Sequence, residues 1–367
     1  MITSIGLMSG TSCDGIDSSI IESDGEKKVN FIGDFFYPYS EQTKDKIRQL
    51  KDKINLIKDL ETNKIQLKIL EKEITLFHAE CFNLLINETK LDSKKIELIG
   101  FHGQTIFHSF KDKKTLQLGD ANLLSQLTNK NVIYNFREKD ILNGGQGAPL
   151  TPIFHKVIKD KLTSENPLVF INIGGIANIT FIDDEKIFSF DSGPGNFLID
   201  KFLQFKTKNK FQFDNGGKIA FSGVIDKNIL QSYLEDPYFS TNPPKSLDVN
   251  DFSLTPIRTL NLENAIATLT ELTALTICNS LNFFQTRPKK IILSGGGRKN
   301  KFISESIKKL SNIPVVAIDD YKINGDFIES QAFAYLAIRS FLKKPISFPG
   351  TTGVKEPITG GSLVEVK

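Results

Sequence analysis

The chain of 367 residues has no tryptophan, three cysteines and four histidines, and its 46 basic residues almost cancel its 43 acidic ones. Each scarcity excludes something. Cys13, Cys81 and Cys278 are odd in number and far apart, which argues against a disulfide framework and for reduced thiols in a cytoplasmic setting. A net charge of +3 spread over scattered lysines leaves no footprint for nucleic acid and no polybasic patch for a membrane. No apolar run approaches the ~18 to 20 residues that a membrane span requires. The first residues, already strand-like, lack the basic and long apolar regions of a signal peptide. His102 and His108 have no third ligand at a recognisable spacing, so no zinc site is expected. The missing tryptophan carries no functional message.

Familiar catalytic signatures are missing too. The chain has no Gly-x4-Gly-Lys-Ser/Thr loop, no nucleophile elbow, and no Gly-x-Gly-x-x-Gly where a dinucleotide-binding unit would need it. What is there begins at the N-terminus. Apolar residues 2–7 run into Met8-Ser9-Gly10-Thr11-Ser12-Cys13-Asp14-Gly15, and a second apolar run follows at 16–21. Glycines allow close backbone approach, and successive N–H groups with hydroxyls can converge on anionic oxygens. This octapeptide reads as a phosphate loop or as an ordinary glycine hairpin. Asp14 and Asp17 are candidates for holding Mg2+ through water, or else a turn acid and a solvent-facing strand residue. Cys13 has no basic neighbour in sequence and reads as a small buried residue.

Strands are expected over 2–7, 17–21 and 29–37, a meander with turn residues at each break. Helical periodicity takes over from 41 to about 88, with a break near 61–63. A strand over 96–101 runs into His102-Gly103-Gln104-Thr105, and another over 132–136 runs into Arg137. His102, at a strand end, reads as a substrate hydrogen bonder or a satisfied interior histidine.

Residues 168–190 then restate the opening: strand, glycine turn at Gly174-Gly175, strand, acidic turn, strand. Helices follow at 263–284, then a strand at 291–293 ending in Ser294-Gly295-Gly296-Gly297. Two similar α/β halves predict a two-lobed molecule with its ligand in a central cleft. The boundaries are expected near 138 and 329, with 1–137 plus 330–367 in one lobe, which includes a crossing helix at 329–343, and 138–329 in the other.

The most promising carboxylate lies in Phe190-Asp191-Ser192-Gly193-Pro194-Gly195-Asn196. With a strand ending at Phe190 and a turn leading into a helix at 197–205, Asp191 would sit at a cleft edge beside backbone N–H groups. That suits a general base with a phosphate alongside, and equally a turn or cap aspartate.

Taken together, residues 6–17, 101–105, Phe136-Arg137, 144–150, 172–178, 190–196 and 294–297 resemble the anhydro-N-acetylmuramic acid kinases, members of the actin, Hsp70 and hexokinase superfamily. The blocks run in order over nearly the whole length, and Pro243-Pro244-Lys245-Ser246 and the segment around Glu329 extend them. The resemblance implies ribonuclease H-like α/β lobes and an ATP- and Mg2+-dependent reaction of peptidoglycan recycling. In it, water opens the 1,6-anhydro bond of 1,6-anhydro-N-acetylmuramic acid while O6 receives the γ-phosphate. It implies Asp191 as the base and Gly10, Thr11, Ser12, Cys13, Asp14, Gly15, Ile16 and Asp17 as the ATP phosphate segment. Gly174, Gly175, Gly295 and Gly296 join them on the nucleotide side. Gln104, Thr105, Arg137 and Asn196 resemble sugar-side contacts, with Arg137 suited to the lactyl carboxylate. A homodimer is implied by resemblance only. Three positions depart from the family: Asn135 stands where an acid usually precedes Phe-Arg, Lys299 replaces a usual histidine, and Leu247-Asp248-Val249 replaces Thr-Gly-Arg. The first would weaken an ion pair orienting Arg137, and the first and the last leave room for a kinase of another amino sugar. A non-catalytic sugar or nucleotide sensor is the remaining alternative.

Overall fold

Strand β7, Leu168–Ile173, is buried at all six positions, and its unbroken apolar run suits a strand covered on both faces. It is the middle strand of its sheet. β8 (Ile176–Asp183) and β9 (Lys186–Pro194) follow it as an antiparallel meander, and β10 (Lys290–Ser294) and β11 (Val315–Ala317) extend the other side in parallel. The order is β11-β10-β7-β8-β9. The computed structural model describes residues 1–10, 12–247 and 251–366.

An earlier sheet repeats this plan. β1 (Ile2–Ser9), β2 (Gly15–Ser23) and β3 (Val29–Pro38) form the antiparallel meander. β4 (Leu98–Ser109) then pairs parallel with β1, and β6 (Asn131–Tyr134) pairs parallel with β4. β5 (Lys114–Leu118) folds back on β4, and the C-terminal strand Ser362–Val364 closes the edge against β6. Leaving out those two additions, both sheets run third, second, first, fourth, fifth. The repeat expected from two glycine-turn meanders is present at the level of topology.

The chain divides into two units, Met1–Lys161 with Phe327–Lys367, and Leu162–Asp326. Residues 138–161 therefore lie with the first sheet, past the crossing expected near 138. Side chains hold them there: Thr352 donates to the buried Asp140 carboxylate at 2.5 Å, Phe154 meets Phe31 edge-on at 6.4 Å, and Phe154 packs on Tyr335 at 5.7 Å.

In the first unit the helix Ile328–Phe341 presses directly on the sheet. Gly6 and Gly100 are register partners on β1 and β4. A Cβ at Gly6 would fall 1.8 Å from the Ser330 carbonyl oxygen, and one at Gly100 2.2 Å from that of Phe333. The paired glycines form the flat seat that brings this helix to backbone contact. The expected helices at 41–88 are three, Glu41–Lys53, Ile57–Thr62 and Lys64–Thr89, with the break at Asn63. The first starts on Ser40, whose hydroxyl accepts the Thr43 N–H at 3.1 Å. In the second unit Leu262–Ser280 is the covering helix, continued by a 3-10 turn at Leu281–Phe283.

Two strands run longer than expected. β4 carries on through His102 to Ser109, kinked where Gly103 adopts φ 72. β9 carries on through Asp191 to Pro194, with a bulge opposite Ala177 and Asn178. Asp191 thus stands inside a bulged strand rather than on a strand-to-helix turn, and bulges re-aim side chains at such positions. No described helix is long and apolar enough to cross a membrane.

Candidate active site

In the first unit the loop between β1 and β2 is tied from beneath. The Ser9 hydroxyl lies 2.5 Å from Gln104 Oε1 and 3.0 Å from the Gly15 carbonyl, and the Tyr39 hydroxyl donates to it at 3.0 Å. Gln104 Nε2 donates to the Gly10 carbonyl at 3.0 Å. Gln104 is fully buried, and its amide braces the start of the loop at Ser9 and Gly10 while the Ser9 hydroxyl reaches the far end at Gly15, a role its strand position alone did not suggest. Within the loop Cys13 takes φ 56 and is buried, while Ser12 and Asp14 are exposed and joined at 2.6 Å. Burial pushes the Cys13 thiol up, partly opposed by Lys51, which keeps it protonated and inert. Ile16 is in the core and Asp17 is half-buried. Thr11 lies outside the described residues.

The glycines of the candidate site separate into two kinds. Gly15 is needed for packing, since a Cβ there would sit 2.4 Å from the Tyr37 carbonyl oxygen, and Gly295 for its φ of 74 as well as for space. Gly10, Gly174 and Gly296 are different. Their φ lies outside the left-handed region, and among the described residues beyond their chain neighbours an added Cβ would come no closer than 3.9, 3.6 and 3.9 Å to any group. Neither torsion nor packing requires glycine at these three places, and open space over bare backbone fits the approach of a phosphate chain.

Beside the first loop, Arg137 Nη1 donates to the Gly147 carbonyl at 2.8 Å, and its Nε and Nη2 reach His102 Nε2 at 3.1 and 3.0 Å. The Gly144–Pro149 stretch is held by Asp140, whose Oδ1 accepts the Gly147 N–H at 2.6 Å. Asn135 takes φ 58, a torsion asparagine tolerates, and its amide donates to Glu138. Arg137 is oriented by His102 and Gly147, so its placement does not hang on an acid at 135. Thr105 is half-buried on β4, 3.5 Å from Gln117 Nε2.

In the second unit the Gly174-Gly175 turn accepts from the start of the next helix. Gly195 N–H donates to the Gly175 carbonyl at 2.9 Å and Asn196 N–H to the Gly174 carbonyl at 2.8 Å. Asn196 Nδ2 donates to the Ile173 carbonyl at 3.2 Å and stands next to Gly296 and Gly297. Asn196, Gly174, Gly175, Gly295 and Gly296 are therefore one group. Arg298 buttresses the triple glycine: it forks onto Asp319 at 2.5 and 2.8 Å, reaches Asp326 at 2.6 Å, and donates to the Gly295 carbonyl at 3.0 Å. Lys299 pairs with Asp326 at 2.6 Å.

Asp191 is half-buried, and its Oδ2 accepts the Leu247 N–H at 2.9 Å. Nearby are two groups that sequence patterns did not single out, Tyr238 and Lys245. Burial, with the Asp191 charge adding to it, pushes the Tyr238 hydroxyl up, and burial pushes Lys245 down to about 8. Lys245 had one sequence signal, its place in the Pro243-Pro244-Lys245-Ser246 block, and Tyr238 had none. Asp200, one helical turn beyond Asn196, is pushed up to about 7 by burial and then by Asp214. Asp248 and Val249 lie outside the described residues. Among the described residues no three His, Cys, Asp or Glu side chains gather as a metal cluster.

Two sheets of one strand order, each with a glycine turn after its first strand, define the ribonuclease H-like fold of the actin, Hsp70 and hexokinase ATPases. Component A of (R)-2-hydroxyglutaryl-CoA dehydratase from Acidaminococcus fermentans superposes with a TM-score of 0.50 over 94% of this chain and 100% of its own, at 10% identity, a likeness of fold alone. The particular family follows from the sequence. The profile of anhydro-N-acetylmuramic acid kinase matches residues 2–365. The proteins of that name from Pelagibacter ubique and Zymomonas mobilis are 48% and 40% identical, over 99% and 98% of this chain and 98% of each relative. The chain belongs to the anhydro-N-acetylmuramic acid kinase family.

Proposed function

We propose that this protein transfers the γ-phosphoryl group of ATP to O6 of 1,6-anhydro-N-acetylmuramic acid while water adds at C1. The products are N-acetylmuramic acid 6-phosphate and ADP, in cytoplasmic recycling of peptidoglycan. The observation that carries this reading is the full-length similarity to proteins named anhydro-N-acetylmuramic acid kinase, among them the Pelagibacter ubique protein at 48% identity. In the reaction, Asp191 takes a proton from water as its oxygen attacks C1. The C1–O6 bond breaks and O6 bonds to the γ-phosphorus as ADP leaves.

The bare backbone at Gly10, Gly174 and Gly296 supports these loops as the phosphate-binding segments. The Ser12 hydroxyl and the Ser12 and Asp14 N–H groups would hold phosphate oxygens. Asp14 and Asp17 would hold Mg2+ through water, and a pair of carboxylates suits an ion that keeps several waters. Bound there, Mg2+ would neutralise charge on the transferring group. Arg137 would hold the lactyl carboxylate, with Thr105 beside it. A homodimer is the assembly we expect, to be read by sedimentation.

Coupled ADP release with 1,6-anhydro-N-acetylmuramic acid, N-acetylmuramic acid and N-acetylglucosamine tests the reading. Turnover with the anhydro sugar alone is expected, and 18O-labelled water should place its label on C1. A preference for a reducing sugar would move the enzyme to another acceptor, and sugar binding without ADP release would overturn the kinase reading.

A further inference from the structure

Asp191 is gripped by a later stretch of chain at three points. The Tyr238 hydroxyl donates to its carbonyl at 2.5 Å, its own N–H donates to the Lys245 carbonyl at 3.1 Å, and the Leu247 N–H donates to its carboxylate at 2.9 Å. Two of these bonds fix the backbone and the third fixes the carboxylate.

What pins that stretch is the side chain of Lys245. The residue is only 6% exposed. Its ammonium donates to the Tyr238 carbonyl at 2.9 Å and sits over three rings, Tyr238 at 4.4 Å, Phe283 at 4.6 Å and Phe190 at 5.8 Å. Among the described residues no carboxylate forms an ion pair with it. A buried cation is costly without partners, and here a carbonyl and aromatic faces supply them. The three rings come from the residue before Asp191, from the turn Pro237–Ser240 and from the turn Leu281–Phe283. One ammonium thus joins the Asp191 strand, the stretch that grips Asp191, and the end of the covering helix.

We propose that Lys245 is a positioning residue for Asp191: through the aromatic box and the Tyr238 carbonyl it holds the gripping stretch that sets the carboxylate's direction. This rests on Asp191 acting as the base. A base must be held to a fraction of an ångström, and misplacement by about 1 Å costs on the order of 100-fold in rate.

The test compares Lys245→Met, Lys245→Arg and Tyr238→Phe, each alone and with Asp191→Asn. Lys245→Met should lower kcat by roughly 10- to 100-fold while leaving both KM values within about twofold, and Lys245→Arg should recover most of that loss. Tyr238→Phe keeps the rings and should lower kcat in the same direction. In the Asp191→Asn background Lys245→Met should have no further effect, since there is no carboxylate left to aim. An unchanged kcat in Lys245→Met, a loss confined to KM, or losses that multiply in the double variant would overturn the proposal. If circular dichroism shows Lys245→Met unfolded, Tyr238→Phe decides the matter. Near-normal turnover of Asp191→Asn alone would instead remove the base assignment, a result distinct from failure of the clamp.

Discussion

Arg137 points two N–H groups at a single nitrogen of His102, Nε at 3.1 Å and Nη2 at 3.0 Å from Nε2. The other ring nitrogen, Nδ1, lies 2.7 Å from the Gly103 carbonyl. A nitrogen facing a carbonyl carries the proton, so Nε2 offers a lone pair and the imidazole is neutral. Burial, reinforced by the Arg137 charge, holds His102 well below the ordinary histidine range, and the arrangement does not titrate near neutral pH. His102→Leu removes the acceptor and releases the guanidinium, whereas His102→Gln supplies another oxygen. With Arg137 on the sugar's carboxylate, we expect the leucine variant to raise KM for the sugar by roughly tenfold with KM for ATP unchanged. The glutamine variant should retain most of the affinity. Equal KM values for all three proteins would remove Arg137 from the sugar site.

Gly6 and Gly10 stand four residues apart and should fail in opposite ways when changed to alanine. A methyl at Gly6 would meet the Ser330 carbonyl oxygen at 1.8 Å, so Gly6→Ala should cost about 1–3 kcal/mol or more through forced separation of helix and sheet. Among the described residues a methyl at Gly10 would meet nothing nearer than Ser12 Oγ at 3.9 Å. Gly10→Ala should therefore melt close to the parent while its KM for ATP rises by on the order of tenfold, because a phosphate can no longer approach the backbone. Thermal melting and ATP titration of the pair separate fold from ligand. A Gly10→Ala protein with unchanged ATP affinity would rule that loop out as a phosphate segment.

The contrast also shows what could be read from the chain alone. Glycine turns flanked by apolar runs marked both meanders, because turn chemistry and strand alternation are local. Which glycine serves packing and which leaves space is decided by residues far away in sequence, Ser330 for Gly6 and Tyr37 for Gly15, and no local pattern carries that. The local pattern of residues 190–196 singles out Asp191 as a candidate but places it on a turn. β9 continues past a bulge at Ser192 because Gly193 and Pro194 pair with Ala177 and Ile176, a tertiary outcome that overrides a turn-like Ser-Gly-Pro-Gly. Lys245 and Tyr238 were invisible as partners of Asp191, since their two bonds span about 50 residues and both go to its backbone atoms.

Arg298 offers a test of the second glycine group. Its side chain is 4% exposed, while its partners Asp319 and Asp326 are 43% and 37% exposed, so solvent screens part of the attraction. Arg298→Lys keeps the charge but loses the fork that engages Asp319 and the Gly295 carbonyl together. We expect a loss of about 1–3 kcal/mol in stability and a raised KM for ATP with the sugar KM intact. An unchanged KM for ATP would separate the triple glycine from the nucleotide.

The two units should respond to acid with opposite sign. All four histidines, His78, His102, His108 and His155, fall in the first unit. Burial pushes His78 down to about 4 and His155 to about 3, against about 6.5 in an unfolded chain. Between those values the unfolded chain binds more protons than the folded one. The contribution is fully present above about pH 6.5 and is lost as pH falls toward 4 and 3. Asp34, raised by burial, works against three depressed imidazoles in the same unit. In the second unit Asp200 is pushed up to about 7, so its folded form holds a proton that the unfolded chain has released. That contribution is fully present at low pH and is lost as pH rises through 7. Lowering pH from 7.5 to 5 should therefore lower amide protection factors, taken relative to the intrinsic exchange rate at each pH, in the first unit and raise them in the second. Asp200→Asn, which cannot ionise, should abolish the rise in the second unit and leave the first unit's response unchanged. Protection factors that fall equally in both units of the parent protein would contradict this account.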